Sequence, residues 1–130
     1  MIVVDASAIV DALAPRAPDP VLSERVRAAS LHAPYLIDIE VTNALRRLVA
    51  RHLLSADRAA DARDDFAALK VTRYPHVPLL DRVWELRDRL TPYDAAYVAL
   101  AELIGVPLVT CDTRLARARG HAAEIEVYGP

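Results

Sequence analysis

Cysteine is nearly absent from this chain. Its single Cys111 excludes an internal disulfide and any cysteine-built metal cluster. A reducing, intracellular compartment is the simpler setting for such a sequence. The four histidines, His32, His52, His76 and His121, never share a ligand spacing such as i, i+4, and read as structural or surface residues. Aromatics are few: Tyr35, Phe66, Tyr74, Trp84, Tyr93, Tyr97 and Tyr128 are scattered, which argues against a stacking platform for single strands. No charge of one sign dominates. With 16 basic and 18 acidic residues and a net charge of −2, the chain does not coat nucleic acid by bulk attraction, although a local basic strip stays open. No apolar stretch approaches the roughly 20 residues needed to span a bilayer. The apolar start is only four residues long and lacks a basic leader, so no signal peptide is expected. The location expected is cytoplasmic. Internal repeats and low-complexity tracts are also missing.

What is present is a globular composition, 54% hydrophobic, in a length that suits one domain over residues 1–130. The opening MIVVDAS sets the pattern. A short apolar run rich in β-branched residues suits a strand buried on both faces. Asp5 stands where that strand stops, and an apolar helix over 7–13 follows at once. Further strands are expected at 31–37, 71–74, 107–110 and 125–128. Between them the period predicts a helix from Pro20, capped by Asp19, and one over 39–52, capped by Asp38. A helix over 56–69 capped by Ser55 follows, and the two make an αα-hairpin. Another helix is entered through 76–80, with Leu79, Val83, Leu86 and Leu90 as a buried line joined by Trp84. Thr91, Pro92 and Asp94 open a helix that Gly105 ends. A last helix covers 113–119. Strands alternating with helices argue a parallel sheet with helices on both faces.

That architecture has a chemical consequence. Helices following parallel strands begin at the carboxyl edge of the sheet, so acids early in them collect on one rim. Asp5 and Asp112 follow strands, and Glu40 and Asp94 lie in first helical turns. Each has an ordinary explanation: Asp5 and Asp112 as N-caps, Asp94 in a T-x-x-D capping box, Glu40 as a partner of the helix dipole. Four together are different, because clustered carboxylates repel unless a cation sits among them. Hard oxygen ligands suit Mg²⁺ or Mn²⁺ rather than zinc, and such a site can activate a water against a phosphodiester. Ser7 and Thr110 would orient ligands or water from the same rim, or hydrogen-bond locally. On the 39–52 helix, Glu40, Asn43, Arg47 and Arg51 share one face, and Arg114, Arg117 and Arg119 form a second basic strip. These are candidate phosphate contacts or simply solvated faces.

Four blocks, MIVVDASAIVDAL, IEVTNALRR, TPYDAAYVALAE and LVTCDTRLARA, resemble in order the acid-bearing blocks of PIN-domain ribonucleases, and in particular the VapC-type toxins of toxin–antitoxin pairs. The resemblance covers nearly the whole length. It implies a three-layer α/β/α fold around a five-stranded parallel sheet, and Mg²⁺- or Mn²⁺-dependent endonucleolytic cleavage of RNA. By motif position it implies Asp5, Glu40, Asp94 and Asp112 as the catalytic set. Asp5, Asp94 and Asp112 are then metal ligands. From their places on the rim and on the helix faces, Ser7, Asn43, Arg47, Thr110 and Arg114 are the candidate substrate contacts. Because Arg114, Leu115 and Ala116 follow the last acid, a full second metal site is not implied. It further implies a homodimer and a VapB-type antitoxin whose tail lies along the helical hairpin and obstructs the acids. A structured RNA such as tRNA is the expected substrate. The competing reading is a PIN-like module that only binds a partner. Phosphate-monoester chemistry of the haloacid-dehalogenase kind wants a second Asp two residues after the first, where this chain has Ser7.

Overall fold

In the computed structural model, which describes residues 1–129, the sheet is built around β1 (Ile2–Val4). All three of its residues are fully buried, as a strand covered on both faces requires. Its neighbours are β2 (Leu31–Pro34) on one side and β4 (Leu108–Thr110) on the other. β3 (Val71–Tyr74) and β5 (Ile125–Val127) complete an all-parallel sheet in the order β3-β2-β1-β4-β5. The chain therefore runs outward from β1 in one direction, then returns to build outward in the other. The carboxyl ends of β1 and β4 flank the point of reversal, where open α/β sheets place their ligands.

Among the described residues seven α-helices connect and cover these strands in the expected three-layer α/β/α arrangement: α1 (Ala6–Leu13), α2 (Pro20–Ala28), α3 (Ile37–Ala50), α4 (Ala56–Ala68), α5 (Leu80–Glu85), α6 (Pro92–Ile104) and α7 (Thr113–Arg117). α6 packs against β1, β2 and β4, and α5 packs on α6. It is buried from Ala95 to Ala101, and the small alanines let it lie close to the sheet. α1 touches α2, α3 and α4. Arg58 of α4 closes the end of α1 by donating to the carbonyls of Leu13 and Ala14, at 3.2 and 2.9 Å. Capping follows local chemistry at most other ends. Asp19, Ser55 and Thr91 accept from the backbone N–H groups of Val21, Arg58 and Asp94. Gly105 ends α6 at φ 69°, a left-handed conformation that costs glycine nothing.

Three expectations need correction. Asp38 does not cap α3, which starts at Ile37 after Leu36 with no side-chain cap. Its carboxylate is instead held by both arms of Arg73 on β3, at 2.7 and 2.8 Å. Trp84 does not join the buried line of Leu79, Val83 and Leu86. It is 68% exposed, with the Arg87 guanidinium 4.6 Å above its ring. The helix expected from 76–80 is split into a 3₁₀ turn, Val77–Leu79, and the short α5, so Leu90 lies beyond the helix and is only half-buried.

Candidate active site

Asp5 sits at the carboxyl end of β1, 6% exposed. It is also the N-cap of α1, its Oδ1 accepting from the Ala8 N–H at 3.0 Å and from Ser7 Oγ at 2.7 Å. Thr110, at the end of β4, donates its hydroxyl to Oδ2. Three donors thus aim this carboxylate, and cap and site residue are one and the same. Asp112 follows β4 and caps α7, accepting from the Arg114 N–H at 2.9 Å. Glu40 is in the first turn of α3 and Asp94 in the first turn of α6. Four independent elements deliver these acids to one cavity of about 270 Å³, whose lining includes Ser7, Asn43 and Arg47.

The other expected substrate contacts are placed differently. Thr110 is fully buried beneath Asp5, and its oxygen also accepts the Asp112 N–H at 3.0 Å. That makes it a support of the acids, outside the cavity lining. Arg114 is an exposed side chain whose guanidinium grips Asp112 through two bonds, at 3.2 and 2.8 Å. Arg51, on the same face as Arg47 by period, lies beyond the last turn of α3 and outside this lining.

The PIN domain profile matches residues 2–121. The chain belongs to the PIN domain family. Ribonuclease VapC12 of Mycobacterium tuberculosis is 44% identical over 127 residues, covering 98% of each chain. VapC ribonuclease Mb0985 of Mycobacterium bovis is 48% identical over 115 residues, covering 88% of each. Among solved structures, PAE2754 from Pyrobaculum aerophilum superposes with a TM-score of 0.68 at 29% identity, covering 95% of this chain and 82% of that one.

The electrostatics of this PIN domain are those of crowded acids. Burial raises the Asp5 carboxyl above the ordinary range, against the pull of its three hydrogen bonds, and Asp94 adds repulsion. Glu40 is raised by burial first and then by Asp94 and Asp5. Asp94 is raised by burial and by Asp112. Only Asp112 is lowered, by Arg114. Among the described residues no three acids form a closed metal cage as they stand. Arg114 engages Asp112, and Asp5 accepts from Ser7, Ala8 and Thr110. An all-oxygen set that is strained by its own charge fits a small hard dication, which keeps water in part of its shell and needs no complete protein cage.

One polar residue of this cavity is not singled out by the sequence. Tyr97, one of the scattered aromatics, is buried, and its phenol donates to Glu40 Oε1 at 2.7 Å and lines the same cavity. Its only sequence signal is the spacing: Tyr97 stands three residues after Asp94, on the same side of α6.

Proposed function

We infer that this PIN domain is an endoribonuclease of the VapC kind, the toxin half of a toxin–antitoxin pair. The observation that carries the reading is the convergence of Asp5, Glu40, Asp94 and Asp112 on one cavity, from four elements, in a chain 44% identical to a protein named as a ribonuclease. Residues 1–130 act as one nuclease domain. Asp5, Asp94 and Asp112 would hold Mg²⁺ or Mn²⁺, with Glu40 completing the site. When bound, the cation supplies charge against the phosphodiester and lowers the pKa of an attacking water. The chain's own residues do the rest. Asp5 is kept rigid by Ser7, Ala8 and Thr110, so its position costs little to reach at the moment of reaction. Arg47 faces the same cavity and holds a backbone phosphate beside the acids, with Asn43 next to it. Substrate is an RNA chosen at a few contacts, a structured RNA such as tRNA being the class to test first.

Two surfaces support the proposed partners. The α3–α4 hairpin carries a groove of about 480 Å³ lined by Leu45, Val49, Ala56 and Ala59, with Arg46 and Arg63 at its edges. An antitoxin segment seated there brings a basic side chain to the acids in place of the cation. On another side, Val77, Leu80 and Trp84 form an exposed stripe at 78%, 51% and 68%. Beside it lies an apolar groove that includes Leu36, Leu79 and Tyr93. Ridge and groove on one patch are what a two-fold contact between identical chains requires. A cytoplasmic homodimer is the proposed state, and no described helix is long and apolar enough to cross a membrane.

The test is cleavage of RNA by purified protein with Mg²⁺ or Mn²⁺, with and without EDTA, beside Asp5→Asn. Cutting is expected only from wild type with metal. Equal cutting in every tube would mean contamination and sink the claim. No cutting, with a melting temperature that metal leaves unmoved, would favour a module that only binds a partner.

A further inference from the structure

We propose that Tyr97 is a positioning residue of the acidic site, its phenolic O–H fixing the carboxylate of Glu40 inside the cavity; this rests on the nuclease reading. The geometry is one-sided. Tyr97 is 1% exposed and among the largest fully buried side chains, so its ring is locked by the core. Glu40 is a half-buried side chain with three rotatable bonds on the first turn of α3. The rigid group therefore places the mobile one. The bond is 2.7 Å and spans 57 residues of sequence, from α6 to α3.

Packing alone does not call for a tyrosine here. Phenylalanine fills the same space without a hydroxyl that must be satisfied once buried. The acids differ in their support. Asp5 has three donors and Asp112 has Arg114, whereas among the described residues the Tyr97 hydroxyl is the one side-chain donor to Glu40. Asp5 and Asp94 both repel Glu40, so without that bond a flexible carboxylate would turn toward solvent. The phenol holds one oxygen, Oε1, and leaves the other free for the site.

The experiment is a double-mutant cycle read by Mn²⁺ calorimetry, with kcat and KM on one RNA as a second readout. Tyr97→Phe keeps the ring and removes only the oxygen, so the core stays packed. Its Mn²⁺ affinity and kcat are expected to fall by about tenfold, the usual cost of losing an outer-shell partner, with KM little changed. In a Glu40→Ala background, Tyr97→Phe should cause no further loss of Mn²⁺ affinity, because the residue acts through Glu40. Unchanged Mn²⁺ affinity in the single variant, or an equal loss in both backgrounds, overturns the proposal. A purely structural tyrosine would lower the melting temperature in both backgrounds and leave metal affinity alone. A wild type that neither binds Mn²⁺ nor cuts RNA would strike the nuclease reading itself, and this role with it.

Discussion

Ser7 and Thr110 are 103 residues apart in the chain, yet their hydroxyl oxygens lie 3.2 Å apart. Each hydroxyl has one proton, and each gives it to Asp5, Ser7 to Oδ1 and Thr110 to Oδ2. Their mutual contact is therefore close approach without a proton of its own. Each oxygen also accepts a backbone N–H from the exit of β4, Ser7 from Cys111 at 2.9 Å and Thr110 from Asp112 at 3.0 Å. The result is a closed set of bonds tying β1 to β4 at the edge where the acids meet.

Thr110→Val tests that set. Valine keeps the shape and removes the hydroxyl, leaving a buried carboxylate oxygen and the Asp112 N–H each short of a partner. Leaving such groups unsatisfied costs about 1–3 kcal/mol, to be read from urea unfolding. RNA cleavage should fall by at least about tenfold, because Asp5 loses its aim. A variant as stable and as active as wild type would mean that the Thr110 hydroxyl is a bystander.

Asp94→Asn tests the crowding of the acids. Burial and Asp112 raise the carboxyl of Asp94 above its ordinary 3.8. A group raised on folding adds stability where it is protonated, below its unfolded value, and that stability is lost as pH rises through the folded value. Near neutral pH the ionised Asp94 therefore weighs against the metal-free fold. In EDTA the variant should melt a few degrees above wild type at about pH 7, and the gap should close as pH falls toward about 4. Mn²⁺ should then raise the wild type more than the variant, because only a folded, charged site binds it. A gap that is constant with pH would place the stabilisation elsewhere.

The sequence made some of this legible and hid the rest for physical reasons. β1 and β4 could be read because a strand covered on both faces leaves a nearly unbroken apolar run. The rim could be read because parallel strands force their following helices to start at one edge, which places Asp5, Glu40 and Asp112; Asp94 joins them because α6 leads directly into β4 and must run antiparallel to it, starting at the same edge. Asp38 was misread because its partner, Arg73, lies 35 residues away on another strand, and a local cap pattern carries no trace of such a bond. Trp84 falls on a plausible period, yet Arg87 gives its ring a favourable place at the surface. Tyr97 is a core position. Which buried hydroxyl reaches an acid of the cavity depends on how α6 and α3 sit across from each other, and apolar periodicity does not encode that.

Arg47 carries the last test, of where RNA lies. It lines the cavity with the four acids, and among the described residues no carboxylate is paired with it. Arg114 is the opposite case, spent on Asp112. If Arg47 holds a phosphate, Arg47→Ala should weaken RNA binding across sequences and reduce the salt slope of log K by about one, the signature of a single lost phosphate contact. Arg114→Ala should behave differently. Freed from its guanidinium, the Asp112 carboxyl rises from its lowered value, and cation binding changes more than RNA binding does. Filter binding over a salt series, with Ca²⁺ replacing Mg²⁺ to suppress cleavage, separates the two. Matching salt slopes for wild type and Arg47→Ala would move the RNA track off the face of α3.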